Sequence, residues 1–197
     1  MRRIVLLASI SVDGFLEGLD RSIDWHLVDA ELHRDLNEVI APMSAFLSGR
    51  VMHEMMAKFW PTADHDPDST PEMVEYAAIW RDKPKVVYSR TLQHADWNAT
   101  VVRDVVPEQV ERLKAQEGTD MVVGGGVLGA EFQRLDLVDE YRLYVHPIVL
   151  GEGHALFPER ERRVPLRLVE SRVFGNGVVL LRYVRRLGDV GATGPLA

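Results

Sequence analysis

The chain is 197 residues long, 46% hydrophobic, and carries a formal net charge of -7. That length builds one domain with a full core, and the acidic balance disfavours a nucleic-acid partner. The sequence has no cysteine, which excludes disulfides, thiolate nucleophiles and thiolate zinc sites, and no metal centre is expected.

Residues 3–11 are a nearly continuous apolar run, which predicts a strand buried on both faces. Ser9, Ser11 and Asp13 interrupt it too early for a secretory or membrane-spanning segment, so a cytoplasmic location without membrane contact is the default expectation. A loop with Gly14 and Gly18 follows, to residue 22. Residues 29–40 predict a helix with Leu32, Leu36, Val39 and Ile40 on one face, ended by Pro42. Residues 45–48 form a short strand that leads into Gly49. Residues 51–59 repeat the helical spacing through Met52, Met55, Met56 and Phe59, a core stripe.

The polar loop 61–71 holds His65 among Asp64, Asp66 and Asp68, which reads as solvated. Ser69 and Glu72 have the spacing of a capping box, and Pro71 suits the first turn of a helix that runs to about residue 80. Strands are predicted at 85–89, 99–102 and 120–123, and helices at 107–116 and 126–135. Residues 140–150 form a long strand broken near Pro147. Arg160, Arg162 and Arg163 alternate with Glu159 and Glu161 as a solvated loop. Residues 166–174 and 178–186 flank Gly175-Asn176-Gly177, a strong hairpin signal. The result is a single α/β domain over residues 1–187, in three layers, with a mostly parallel central sheet and a C-terminal antiparallel hairpin. Residues 188–197 are a flexible glycine-rich tail.

Three strand exits carry the candidate chemistry. Met121-Val122-Val123 runs into Gly124-Gly125-Gly126-Val127-Leu128-Gly129, a strand that ends in glycines where a helix starts. Such a turn leaves backbone N–H groups unpaired at the positive end of a helix, which suits a pyrophosphate. A tight turn in any α/β domain would look the same. Ala45-Phe46-Leu47-Ser48-Gly49-Arg50-Val51 repeats strand, glycine and helix start, now with an arginine whose planar fork matches phosphate. Val86-Val87-Tyr88-Ser89-Arg90-Thr91 is a third exit. In parallel sheets, ligands bind outside the carboxyl ends of the strands. Two arginines beside a dinucleotide favour the 2′-phosphorylated form, NADP. The usual dinucleotide fingerprint sits on the first strand, and here that strand ends in Ser-Val-Asp-Gly instead.

Over nearly its whole length the chain resembles the dihydrofolate reductase-like superfamily. The matching pieces are Ser11-Val12-Asp13-Gly14, Trp25 before the first helix, Gly49-Arg50-x-x-x-Glu54, Val122-Val123-Gly124-Gly125-Gly126 and the final hairpin. The segment from Leu143 to Gly153, with His146-Pro147 and Gly151-Glu152-Gly153, is similar to the C-terminal reductase domain of bifunctional riboflavin-biosynthesis enzymes.

The resemblance implies NADPH as hydride donor, with the pyrophosphate over Gly49 and Gly125-Gly126, Val51, Val127 and Leu128 in the same turns, and Arg50 at the 2′-phosphate. It implies Ser89 and Arg90 at the adenosine, and Ala8, Gly14 and the rest of the loop 13–18 at the nicotinamide. It also implies a cis peptide at Gly124–Gly125. Asp29 is the nearest match to the family's catalytic carboxylate, and is equally a good helix N-cap. His33 one turn on and Trp25 complete the catalytic candidates. Gly49-Arg50-Val51-Met52 lacks the folate enzyme's phosphate-binding hydroxyl, Gly129 replaces an aromatic residue, and His146 stands where that enzyme has a pterin-contacting threonine. These departures count against folate.

The expectation is a reductase acting on a small heterocycle, imine or carbonyl, with 5-amino-6-(5-phosphoribosylamino)uracil as the substrate the riboflavin branch implies. A non-catalytic NADP-binding module and a dihydrofolate reductase are the alternatives. The same branch implies a homodimer, for which apolar positions between Tyr141 and Val149 would serve.

Overall fold

The N-terminal apolar run forms β1 (Ile4–Ser11), with Ile4 and Val5 wholly buried. In this computed structural model, which describes residues 1–157, 159 and 163–186, β1 is an inner strand of an eight-stranded sheet. The chain continues through β2 (Phe15–Glu17), α1 (Ala30–Ile40), β3 (Ala45–Gly49), α2 (Arg50–Phe59), a 3-10 helix (Trp60–His65), α3 (Pro71–Asp82), β4 (Lys85–Tyr88), β5 (Ala99–Val102), α4 (Pro107–Ala115), β6 (Met121–Gly124), α5 (Gly126–Arg134), β7 (Glu140–His146), β8 (His154–Ala155), β9 (Leu166–Val173) and β10 (Val179–Arg185). The strand order is β5-β4-β3-β6-β1-β7-β10-β9. Pairings from β5 through β7 are parallel, and those of β10 with β7 and β9 are antiparallel. The expected layered α/β fold with its closing hairpin is therefore present.

Alternate residues of the central strands feed two cores. Ile4, Leu6, Met121 and Val123 face Val110 of α4 and Leu128 and Phe132 of α5. Val5, Val122 and Phe46 meet Met43 and Val39 on the other face, beside Ile40, Tyr76 and Trp80 of α1 and α3. Two lysines satisfy helix-end carbonyls that the helices cannot pair internally. Lys83 Nζ donates to Ala41 O and Met43 O, and Lys85 Nζ donates to Trp80 O, Lys83 O and Trp97 O. Burial pushes the Lys85 ammonium down to about 8.

Several local expectations change. The cap of α3 is Thr70, whose Oγ1 accepts from the Met73 amide, while Ser69 Oγ instead donates to Ala63 O. In α2 the inward face runs through Met52, His53 and Met56, so His53 is buried while Met55 and Phe59 are exposed. His53 is held inward by stacking on Trp80, and Met55 is not core. β7 stops at His146, ahead of Pro147, and lies between β1 and β10. Tyr141, Leu143 and Tyr144 are buried there and offer no surface to a second copy, whereas Val149, beyond the end of the strand, is exposed. Arg160, Arg162 and the tail 188–197 lie outside the described residues. Among the described residues, no helix is long and apolar enough to cross a membrane.

Candidate active site

β6 lies beside β3 with Gly124 opposite Ser48, so the two glycine exits are neighbours. The helices that leave them are capped by Gly49 and Gly125, and neither has a side-chain cap. Two uncapped helix N-termini thus sit side by side, which concentrates N–H donors and partial positive charge at one point. Gly125, Gly126, Val127, Arg50 and Val51 are all solvent-facing.

The Gly124–Gly125 peptide is trans, as there is no cis bond among the described residues. Gly125 makes the turn itself, at φ +88° and ψ 138°, a conformation that glycine adopts without a Cβ clash. A Cβ at Gly124 would meet Met52 Cε at 2.9 Å, the end of a flexible side chain that can move aside. Gly129 lets α5 approach Leu6 of β1. Leu128 is 6% exposed and belongs to the core, so its side chain is not part of the exposed turn.

Arg50 is the first residue of α2, where a cation opposes the helix dipole. Its guanidinium pairs with Glu54 at 2.9 Å, with both side chains about half exposed. That i,i+4 pair offsets part of the unfavourable interaction with the helix dipole. Tyr88 pairs with Gly49, which puts the end of β4 next in line. Ser89 Oγ accepts from the Leu92 and Thr91 amides and is largely buried in that turn. Arg90 reaches Asp104 at 2.6 Å.

On the other side of β6, β1 pairs with it only from Ile4 to Leu6, yet pairs with β7 as far as Ser11. The sheet therefore opens between β1 and β6 at their carboxyl ends. Ala8 lies on this free stretch of β1 and is 6% exposed. Gly14 shapes the turn into β2, and its carbonyl accepts from the Leu156 amide. Asp13 straps this loop to the one after β7, accepting from Ser11 Oγ and from the Gly151 and Leu150 amides at 2.6, 2.8 and 3.2 Å. The Ser11 hydroxyl, more than these amides, holds the Asp13 carboxyl below its ordinary range against the smaller effect of desolvation.

Asp29 caps α1, its Oδ1 accepting from the Leu32 amide at 2.9 Å. His33 lies further along α1 with its ring 6.1 Å from Trp60 and 6.2 Å from Tyr76. Burial lowers its pKa, against the pull of Glu72 and Glu75. Trp25 keeps different company, with its indole beside His26 and His146. The three catalytic candidates are thus divided between a cap, the packing of α1 on α3, and a ring cluster at the end of β7. Sequence reasoning assigned His26 no role, and His146 entered only as part of the His146-Pro147 resemblance and as a departure from the folate enzyme. Their pairing depends on a loop meeting a distant strand end, and only the His146-Pro147 motif points there.

Residues 2–180 match the model of the family described as RibD C-terminal domain. Uncharacterized protein YyaP of Bacillus subtilis (strain 168) is 35% identical over 183 residues, which cover 92% of this chain and 94% of that protein. Among solved structures, a putative riboflavin biosynthesis protein from Shewanella sp. PV-4 superposes with a TM-score of 0.70 at 22% identity, over 94% of this chain and 99% of that one. Dihydrofolate reductase from Enterococcus faecalis, complexed with NADP(H) and RAB-propyl, gives a TM-score of 0.62 at 16% identity, over 93% and 96% of the two chains.

Proposed function

The chain belongs to the RibD C-terminal domain family, and from that premise we propose that it is an NADPH-dependent reductase of a small heterocyclic, imine or carbonyl substrate. The observation that carries this is the pair of adjacent, glycine-capped helix N-termini with Arg50 at the head of one. The backbone fits a pyrophosphate because its donors are exposed and no acidic side chain occupies the first turn of either helix. When bound, the cofactor supplies a hydride. The amides that open α2 and α5 hold its phosphates, and Arg50 turns from Glu54 to the 2′-phosphate. Arg90 and the turn held by Ser89 border the adenosine side. Ala8 and the strapped loop 13–18 border the nicotinamide and keep water from its reactive face. Asp29, exposed at the start of α1, passes a proton through water to the atom that gains electron density.

The substrate first in line is 5-amino-6-(5-phosphoribosylamino)uracil. A homodimer would use β9, one of the two edge strands of the sheet, where Leu168, Val169 and Val173 are exposed.

The test measures NADPH oxidation against pyrimidine, pterin and dicarbonyl substrates, beside the melting-temperature rise with NADPH alone. Turnover with a pyrimidine or carbonyl supports the proposal. Binding without turnover leaves a cofactor-binding module, and turnover of dihydrofolate alone makes it a folate enzyme.

Arg50→Ala is expected to weaken NADPH by roughly 10- to 100-fold, the worth of a charged hydrogen bond of about 1.5–3 kcal/mol. NADH, which lacks the 2′-phosphate, should change little, and so should the melting temperature. Calorimetry with both cofactors decides, and an equal loss for each removes the 2′-phosphate role from Arg50.

A further inference from the structure

A cavity of about 110 Å³ lies between the sheet and helices α1, α2 and α3. It reaches Ser48 and Gly124, which face each other at the carboxyl ends of β3 and β6. Its walls are mostly apolar, with Ile40, Met56 and Trp80 on the helix side and Phe46 and Val122 on the sheet side. Met52 lines it toward the glycine turn, where a Cβ built on Gly125 would lie 3.3 Å from the Met52 sulfur.

Three polar side chains line the same space, those of Ser48, His53 and Tyr76. They are 8%, 5% and 8% exposed, and among the described residues none has a side-chain hydrogen bond. Buried polar groups are ordinarily paired, so a hydroxyl, an imidazole and a phenol on one cavity call for a partner that the chain does not provide. Lys85 also reaches the cavity, but its ammonium already donates to three backbone carbonyls.

We propose that this cavity binds one uncharged aromatic ring that carries a hydroxyl, a phenol in chemical class, with the hydroxyl among Ser48, His53 and Tyr76 and the ring on the apolar wall. The size is suitable, since an apolar cavity of about 150 Å³ takes benzene, and unbranched Met52 and Met56 can adapt to a guest. Burial, then the Lys85 charge, lowers the His53 imidazole against the pull of Glu54 and Asp96, and burial raises the Tyr76 phenol. All three groups are therefore neutral at neutral pH. Lys85 disfavours a cation, and a carboxylate would lose its hydration and find no free donor on that ammonium. A hydroxyl can donate to one of the three groups and accept from another. The site is separate from the phosphate-facing amides and the nicotinamide loop, so it does not rest on the reductase proposal.

The test titrates the full chain, ¹³C-labelled at its methionine methyls, with phenol, toluene and benzoate. Phenol should move the Met52 and Met56 signals and leave that of Met55, which is exposed. Toluene has the shape without the hydroxyl and should bind roughly 3- to 10-fold more weakly, the worth of a hydrogen bond. Benzoate should not bind. Tyr76→Phe removes an unpaired hydroxyl, so it should melt no lower than the parent, bind phenol more weakly and bind toluene unchanged. Ser48→Val fills the cavity with a β-branched residue suited to a strand, so it should melt higher and bind neither ring.

If phenol moves neither methyl in the folded parent, no ring enters and the proposal is wrong. If toluene or benzoate binds as well as phenol, the three polar groups do not select the ligand and the class is wrong. Undiminished phenol binding by Ser48→Val would place the ring elsewhere. Should that variant fail to fold, the contrast of phenol with toluene in the parent and in Tyr76→Phe decides. Long-lived water contacts at the His53 ring that persist with phenol present would make water the occupant and overturn the proposal.

Discussion

Val127→Asp is expected to leave the fold intact and to weaken NADPH at least about 100-fold. Val127 is 85% exposed as the second residue of α5, and that helix has neither an acidic residue in its first turn nor a side-chain cap. An aspartate there loses no packing and complements the helix dipole, worth about 0.3–1 kcal/mol. The melting temperature should hold or rise. The same carboxylate would stand where a pyrophosphate must sit. Two unit charges about 5 Å apart at an effective dielectric of about 20 repel by roughly 3 kcal/mol, enough for about 100-fold in affinity. Val127→Asn has the same shape without the charge and should bind within a few-fold of the parent. The loss should shrink in about 1 M salt, where screening acts within about 3 Å. Calorimetry that finds Val127→Asp binding like Val127→Asn would move the phosphates away from α5.

Such a variant can be designed because the glycine turn is written locally. Strand, three glycines and helix follow one another in nine residues, and each element shows its own periodicity. What the sequence does not show is that β6 inserts between β3 and β1, which brings Gly124 beside Ser48. That adjacency came from resemblance, since no local pattern encodes which strand pairs with which. Proline placement was more informative than we allowed. With Pro71 at the first helical position, the cap must be the residue before it, Thr70.

In α2, two apolar stripes compete, one through Met55 and Phe59 and one through Met52 and Met56. The second wins because His53 is drawn inward onto Trp80, a polar residue that hydrophobic patterning places outside. The ring cluster of Trp25, His26 and His146 was invisible for the same reason. Its members are polar or ambiguous singly, and only the end of β7 meeting the loop before α1 makes them a unit.

Glu140 was similarly unreadable, as a charged residue at the start of a strand looks like a boundary. It is wholly buried, and its substitution is the largest stability effect we expect. Arg142 on β7 lies directly opposite Arg182 on β10, a like-charge cross-strand pair that would be destabilising alone. Glu140 is two residues along the same face of β7. Its carboxylate accepts from Arg142 Nε at 2.9 Å, from Arg182 Nε and Nη2 at 2.7 and 3.1 Å, and from Arg3 Nη1 at 2.7 Å. It therefore joins strands β7 and β10 to the residue that precedes β1.

Glu140→Ala should cost roughly 3 kcal/mol at neutral pH, the low end for breaking a buried pair, because the partly exposed arginines can turn to solvent. Glu140→Gln keeps the shape and should cost less. Burial alone would raise the Glu140 pKa, but Arg182 and Arg142 overcome it and leave the value below the ordinary 4.5. A carboxylate depressed on folding stabilises above its unfolded value and loses that contribution as pH falls through its folded value. The parent should therefore lose stability more steeply than Glu140→Gln below about pH 4.5. Urea titrations of both proteins from neutral to strongly acidic pH would show it, and parallel acid limbs would mean that the arginines do not hold this carboxylate ionised.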